Sequence, residues 1–155
     1  MAEYRTAIDI DAPPEKVFEF LVTDEGMTSW MGQWASLDPV RGGRFAVDIA
    51  GHPVRGVFLE VDPPRRVSMS WGYAGNEDLP PGSTTVSFEL LATPGGTRVE
   101  VVHADLPETE VAGHRAGWVH FVPRLARACA GEPLPPDTWH PAPQPAQPVQ
   151  PEEQS

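Results

Sequence analysis

The chain reads as an α+β domain: a curved antiparallel β-sheet of about six strands against one long C-terminal α-helix, with two short helices after strand 1. Three observations predict it. Strand-like runs crowd between residues 44 and 103 and are broken by Pro63-Pro64 and Pro94-Gly95-Gly96. Breaks this short favour antiparallel partners, because a parallel pair needs a crossover of about a dozen residues. A stripe of apolar residues then recurs at helical spacing up to Gly131, and such a helix must lay its stripe on a sheet face.

The first strand spans Tyr4 to Asp11, where Thr6, Ile8 and Ile10 fall on one side and Arg5, Asp9 and Asp11 near the other. That alternation marks a half-buried strand. Pro13-Pro14-Glu15 opens a helix, since proline is tolerated in a first turn and a carboxylate suits the positive end of the dipole. Val17, Phe18, Phe20 and Leu21 supply its buried face. Thr23-Asp24-Glu25 caps a second helix, and Met27, Trp30 and Met31 carry it to Gly32.

Three strands follow at about 44–50, 54–61 and 66–73. Phe45, Val47 and Ile49 share a face of the first, and Val67, Met69 and Trp71 share a face of the third. After a polar loop, Val86, Phe88 and Leu90 alternate along 84–93. The turn at Pro94-Gly95-Gly96 returns the chain as a partner strand with Val99, Val101 and His103 on one face. Pro107 and Glu108 open the last helix, in which Val111, Trp118, Val122, Leu125 and Cys129 step by seven, four, three and four. Pro123 lies inside it, removes the bond to Val119 and predicts a kink.

The 155 residues make one domain with a substantial core. Residues 132–155 hold eight of the 19 prolines and no Lys or Arg. The domain is therefore expected over 1–139 and a disordered Pro-rich tail over 140–155. Net charge is −11; Glu132, Asp137, Glu152 and Glu153 supply four of those charges and leave −7 on residues 1–131. An acidic body repels phosphate, which argues against nucleic acid and anionic membranes as partners. Cys129 is the single cysteine, so no intrachain disulfide forms, and the N-terminus lacks a signal-peptide core. A cytoplasmic protein without cofactor is expected.

The order of elements carries a set of residues that resembles the proteins homologous to the activator of heat-shock-protein-ninety ATPase. That family sits in the SRPBCC, or START-like, superfamily. The matching positions span nearly all of residues 5–139. They include Ile10-Asp11-Ala12-Pro13, Thr23-Asp24-Glu25-Gly26, Trp30-Met31-Gly32, Gly42-Gly43-Arg44-Phe45, Gly56, Glu60 to Arg66, Trp71-Gly72, Thr97-Arg98-Val99, His114 to Trp118, Leu125, Gly131 and Trp139. Pro123 and the proline-rich tail depart from the pattern. The resemblance implies the helix-grip fold, with the sheet wrapped around the long helix and an apolar cavity between them. It also implies hydrophobic ligands, for carriers and polyketide cyclases alike.

Neither Gly42-Gly43 nor Gly95-Gly96 is followed by the lysine of a phosphate-binding loop. His114 and His120 are six apart and fall on different helix faces, and one cysteine completes no zinc set, so no metal is expected. The residues expected to line a cavity are Trp30, Phe45, Met69, Trp71, Phe88, Val101, His103, Trp118 and Val122. Core packing accounts for the aromatics equally well. His103 is either a strand-end histidine bonded to backbone or water, or a pocket hydrogen-bonder and acid–base group.

Two functions follow: a non-catalytic module holding a hydrophobic small molecule, or a cyclase-type enzyme using His103. Activation of a chaperone ATPase is a third. Val54, Phe58 and Val102 read as outward-facing, which suggests a homodimer through the outer face of the sheet. The tail yields a direct prediction. Truncation after Trp139 will leave the melting temperature within about 2 °C, because changes remote from the core rarely matter; a larger drop in a thermal melt would mean that the tail packs on the domain.

Overall fold

The computed structural model describes residues 2–135, 137 and 139. Strand β1 (Ala2–Ile10) is followed by α1 (Pro14–Val22) and α2 (Asp24–Thr28). Six strands come next: β2 (Trp34–Leu37), β3 (Arg44–Ile49), β4 (His52–Asp62), β5 (Arg66–Trp71), β6 (Thr84–Thr93) and β7 (Gly96–Leu106). A short 3-10 turn over Glu108–Glu110 leads into α3 (Val111–Cys129). All seven strands form one antiparallel sheet in the order β1-β7-β6-β5-β4-β3-β2. The first two strands of the chain thus occupy opposite edges, and α1 and α2 carry the chain from one edge to the other.

The expected elements are present, with one addition. β2 is a four-residue edge strand paired only with β3, too short to show a period and followed at once by Asp38-Pro39. α2 is shorter than expected: Trp30 and Met31 lie just past it, both bonded back to the Met27 carbonyl. Thr23 caps this helix, its Oγ1 accepting from the Gly26 amide at 3.0 Å. The expected tail, 140–155, lies outside the described residues.

Pro123 does not interrupt α3, which runs six residues beyond it. Val119, whose carbonyl loses its partner, is 58% exposed, and Pro123 is on the same open side. Water can satisfy that carbonyl, which removes much of the cost of a mid-helix proline.

The outward placement of Val54 and Phe58 is wrong: both are fully buried. The cause is a bulge at Leu59, where the register with β5 jumps from Phe58↔Met69 to Glu60↔Ser68. An extra residue reverses the alternation, so Val54 and Phe58 before it share the core face with Val61 after it. Val57 and Leu59 are left half-open, and Val102 is half-buried. The outer-face patch expected from those residues does not exist as drawn.

The core lies between the concave sheet and the helices, with α3 nearest to β1. The close approach of β4 to β5 depends on Gly56, where a Cβ would stand 1.9 Å from the Ser70 carbonyl oxygen. No helix among the described residues is long and apolar enough to cross a membrane. Gly56→Ala is expected to lower stability by about 2–3 kcal/mol by prising β4 from β5; an unchanged urea midpoint would show that the two strands yield freely.

Candidate functional site

The nine residues expected to line a cavity come together between sheet and helix. Trp30 follows α2; Phe45 comes from β3, Met69 and Trp71 from β5, Phe88 from β6, Val101 and His103 from β7, and Trp118 and Val122 from α3. None exposes more than 4% of its surface. Their rings touch one another: Trp71 to Trp118 at 5.5 Å, Phe45 to Trp71 at 5.7 Å, Phe88 to Trp118 at 6.0 Å and Trp30 to Phe88 at 6.5 Å between centroids. In this arrangement they cover each other's faces.

His103 is the polar centre of the cluster, and its bonds have only one consistent direction. The Trp118 indole can only donate, and it reaches His103 Nδ1 at 3.0 Å. The ring proton must therefore sit on Nε2, which donates to Thr84 Oγ1 at 2.9 Å. That hydroxyl in turn donates to the Trp71 carbonyl at 2.7 Å. Both nitrogens are committed, and burial with His114 close by pushes the pKa of His103 from 6.5 down to about 2. The ring is neutral at pH 7 and lacks the basicity and the free nitrogen of a general base. It lies inside β7 rather than at the strand end, and its partners are the Trp118 and Thr84 side chains rather than backbone or water.

A second chain starts on the same tryptophan and runs outward. Trp71 Nε1 donates to Tyr73 Oη at 3.3 Å, and Tyr73 Oη lies 3.1 Å from His114 Nε2. His114 Nδ1 is 2.9 Å from the Glu110 carbonyl, an acceptor only, so Nδ1 carries hydrogen, and in the tautomer with that single ring proton Nε2 accepts from Tyr73. The Glu110 carboxylate stands 3.9 Å from Nδ1. Burial, with Glu110 adding to it, raises the Tyr73 pKa against the opposing effect of the Trp71 bond, so the hydroxyl keeps its proton. Tyr73, His114 and Glu110 are half-buried, and the exposed His52 ring is 6.4 Å from Tyr73.

Sequence reasoning left out Tyr73 and Glu110, although signals for both were present. Tyr73 continues the face of Val67, Met69 and Trp71, and Glu110 stands one helical turn before His114. His120 belongs elsewhere: it bonds Asp137 at 2.9 Å and stacks on Trp139. Burial drives the Cys129 thiol up to about 12, which removes it as a nucleophile. Among the described residues no three His, Cys, Asp or Glu side chains converge as a metal site requires. An open groove of about 400 Å³ lined by Asp9, Ile10, Asp11, Thr93 and Gly95 lies at the far end of β7 from His103.

A curved antiparallel sheet closed by one long C-terminal helix is the helix-grip architecture. The profile of the family described as Activator of Hsp90 ATPase homolog 1-like protein matches residues 11–130, and the chain belongs to that family. A solved AHSA1-like protein from Rhizobium etli is 34% identical over 96% of this chain and 94% of its own, with a TM-score of 0.70. The Aha1 dimer from Colwellia psychrerythraea is 28% identical over 83% of this chain and 96% of its own, at 0.72. DynU16, a protein of the dynemicin biosynthetic locus, is 27% identical over 84% of this chain and 48% of its own, at 0.73. No curated protein matches the chain in sequence.

The neutral, buried His103 has a consequence for stability. Its pKa is lower folded than unfolded, so between about 2 and 6.5 the unfolded chain binds the extra proton. His103 thus destabilises the fold as pH falls below 6.5, by about 1.4 kcal/mol per pH unit. His103→Leu should start less stable at pH 7 yet show a flatter decline from pH 6 to 4.5 in urea unfolding; parallel slopes would mean that the ring is accessible to protons.

Proposed function

We propose that this chain is a non-catalytic binding domain for a hydrophobic small molecule held between the sheet and α3. One observation carries it. Trp71 belongs both to the aromatic cluster and to the Trp71–Tyr73–His114 chain. An apolar interior therefore continues without a break to a half-buried polar pair near the surface, and mostly apolar walls with a few placed polar groups are what small-molecule sites share.

The rings fill the space between sheet and helix themselves, and a ligand would replace ring–ring contacts with its own. The ligand's burial must also offset its lost translational and rotational freedom, about 4 kcal/mol or more. An aromatic pair such as Trp71–Trp118 contributes about 0.5–1.5 kcal/mol beyond its buried area. Burying roughly 200 Å² of apolar ligand surface at about 25 cal/mol per Å² contributes about 5 kcal/mol.

The core's own groups support the non-catalytic reading. His103 is held neutral by its surroundings and Cys129 is protonated, so a cyclase built on His103 loses its proton carrier. The origin of DynU16 in a biosynthetic locus fits a small-molecule ligand. Chaperone activation has only the family name behind it, and self-association has the dimeric Colwellia relative.

Titration with 1-naphthol is expected to change tryptophan emission saturably, since Trp71 and Trp118 form the walls. Native mass spectrometry of freshly purified protein should show a bound small molecule. No emission change up to roughly 1 mM, a limit equivalent to about −4 kcal/mol, together with a bare mass, would remove the binding function.

A further inference from the structure

We infer that the bound molecule carries a hydroxyl group at its polar end and presents it between Tyr73 and His114. This rests on the binding function proposed above. The bonding directions around that pair are dictated by their neighbours. The Glu110 carbonyl takes the proton on His114 Nδ1, and in the tautomer with that single ring proton Nε2 is an acceptor aimed at Tyr73. Trp71 Nε1 donates into the back of Tyr73 Oη, and that hydroxyl stays protonated because burial and Glu110 favour its neutral form.

A group that separates the two side chains therefore meets an acceptor on one side and a donor on the other. A phenol or enol hydroxyl satisfies both at once, donating to Nε2 and accepting from Tyr73 Oη. An ether or ketone accepts from Tyr73 but leaves Nε2 without a partner. A carboxylate places a second negative charge beside Glu110 in a body that is already acidic. Buried acceptors left unpaired discriminate more strongly than extra apolar contact does.

The test compares 1-naphthol, 1-methoxynaphthalene and 1-naphthoate by calorimetry on the full chain. 1-Naphthol should bind roughly tenfold tighter than its methyl ether, the ratio one well-made hydrogen bond produces, and 1-naphthoate most weakly. His114→Phe should bring alcohol and ether to equal affinity, whereas His114→Gln, whose side-chain oxygen still accepts, should keep part of the preference. If His114→Phe fails to fold, the wild-type ratio and the Gln variant decide. Equal binding of alcohol and ether to the wild-type chain overturns the hydroxyl inference and leaves the binding function standing. No binding by any of the three overturns both.

Discussion

The hydrogen-bond chain from Trp118 through His103 and Thr84 to the Trp71 carbonyl is the constraint around which the interior is arranged. Apolar packing holds α3 on the sheet but is indifferent to direction. A buried imidazole is not: left unpaired it would cost the fold far more than the paired group contributes. Because an indole only donates and Thr84 already points its own hydrogen at a backbone oxygen, every proton in the chain has one place. α3 is thereby fixed in register against β5, β6 and β7 at once.

Further ties to α3 come from Trp30 and from the residues that follow the helix. Arg124 donates to the Trp30 carbonyl and to the Pro135 carbonyl, and Arg127 reaches the Pro133 carbonyl. His120 and Phe121 meet Trp139, and Asp137 bonds His120. The described residues after α3 thus lie against the side of it that bears His120, Phe121 and Arg124, joined to it by guanidinium and ring contacts, while Trp118 and Val122 face the aromatic cluster. Helix α3 is held from both sides, and its first turn bears the half-buried His114 of the second chain.

That contrast between the two ends of Trp71 gives the functional reading its form. Inward, its ring packs on Trp118 and Phe45 and its carbonyl closes the His103 chain; outward, its indole nitrogen supports Tyr73. The inner histidine is stripped of basicity by desolvation, whereas the outer one is near water and a carboxylate. Under the proposed binding function, polar recognition falls to the outer end and apolar contact to the inner.

Much of this was legible from residues alone. Alternation placed His103 on the face of Val99 and Val101, and the step pattern of α3 placed Trp118 and Val122 inward, because a period of two or of 3.6 is a local property of the backbone. The aromatic cluster was therefore readable, as was the overall order of strands and helices. The four-residue β2 was not, since its pairing with β3 supplies what its sequence lacks. The bulge at Leu59 was not either: an extra residue shows only against a partner strand, and it moved Val54 and Phe58 from the outside to the core. Nor could the sequence say that the aromatics close on one another, that both His103 nitrogens are used, or that Tyr73 meets His114 across 41 positions. Sequence by itself determined the periods, and the faces wherever no bulge intervenes; only the tertiary structure decided where the bulge falls, which faces meet and which protons they share, because strand pairing, long-range contact and desolvation have no local signature in the chain.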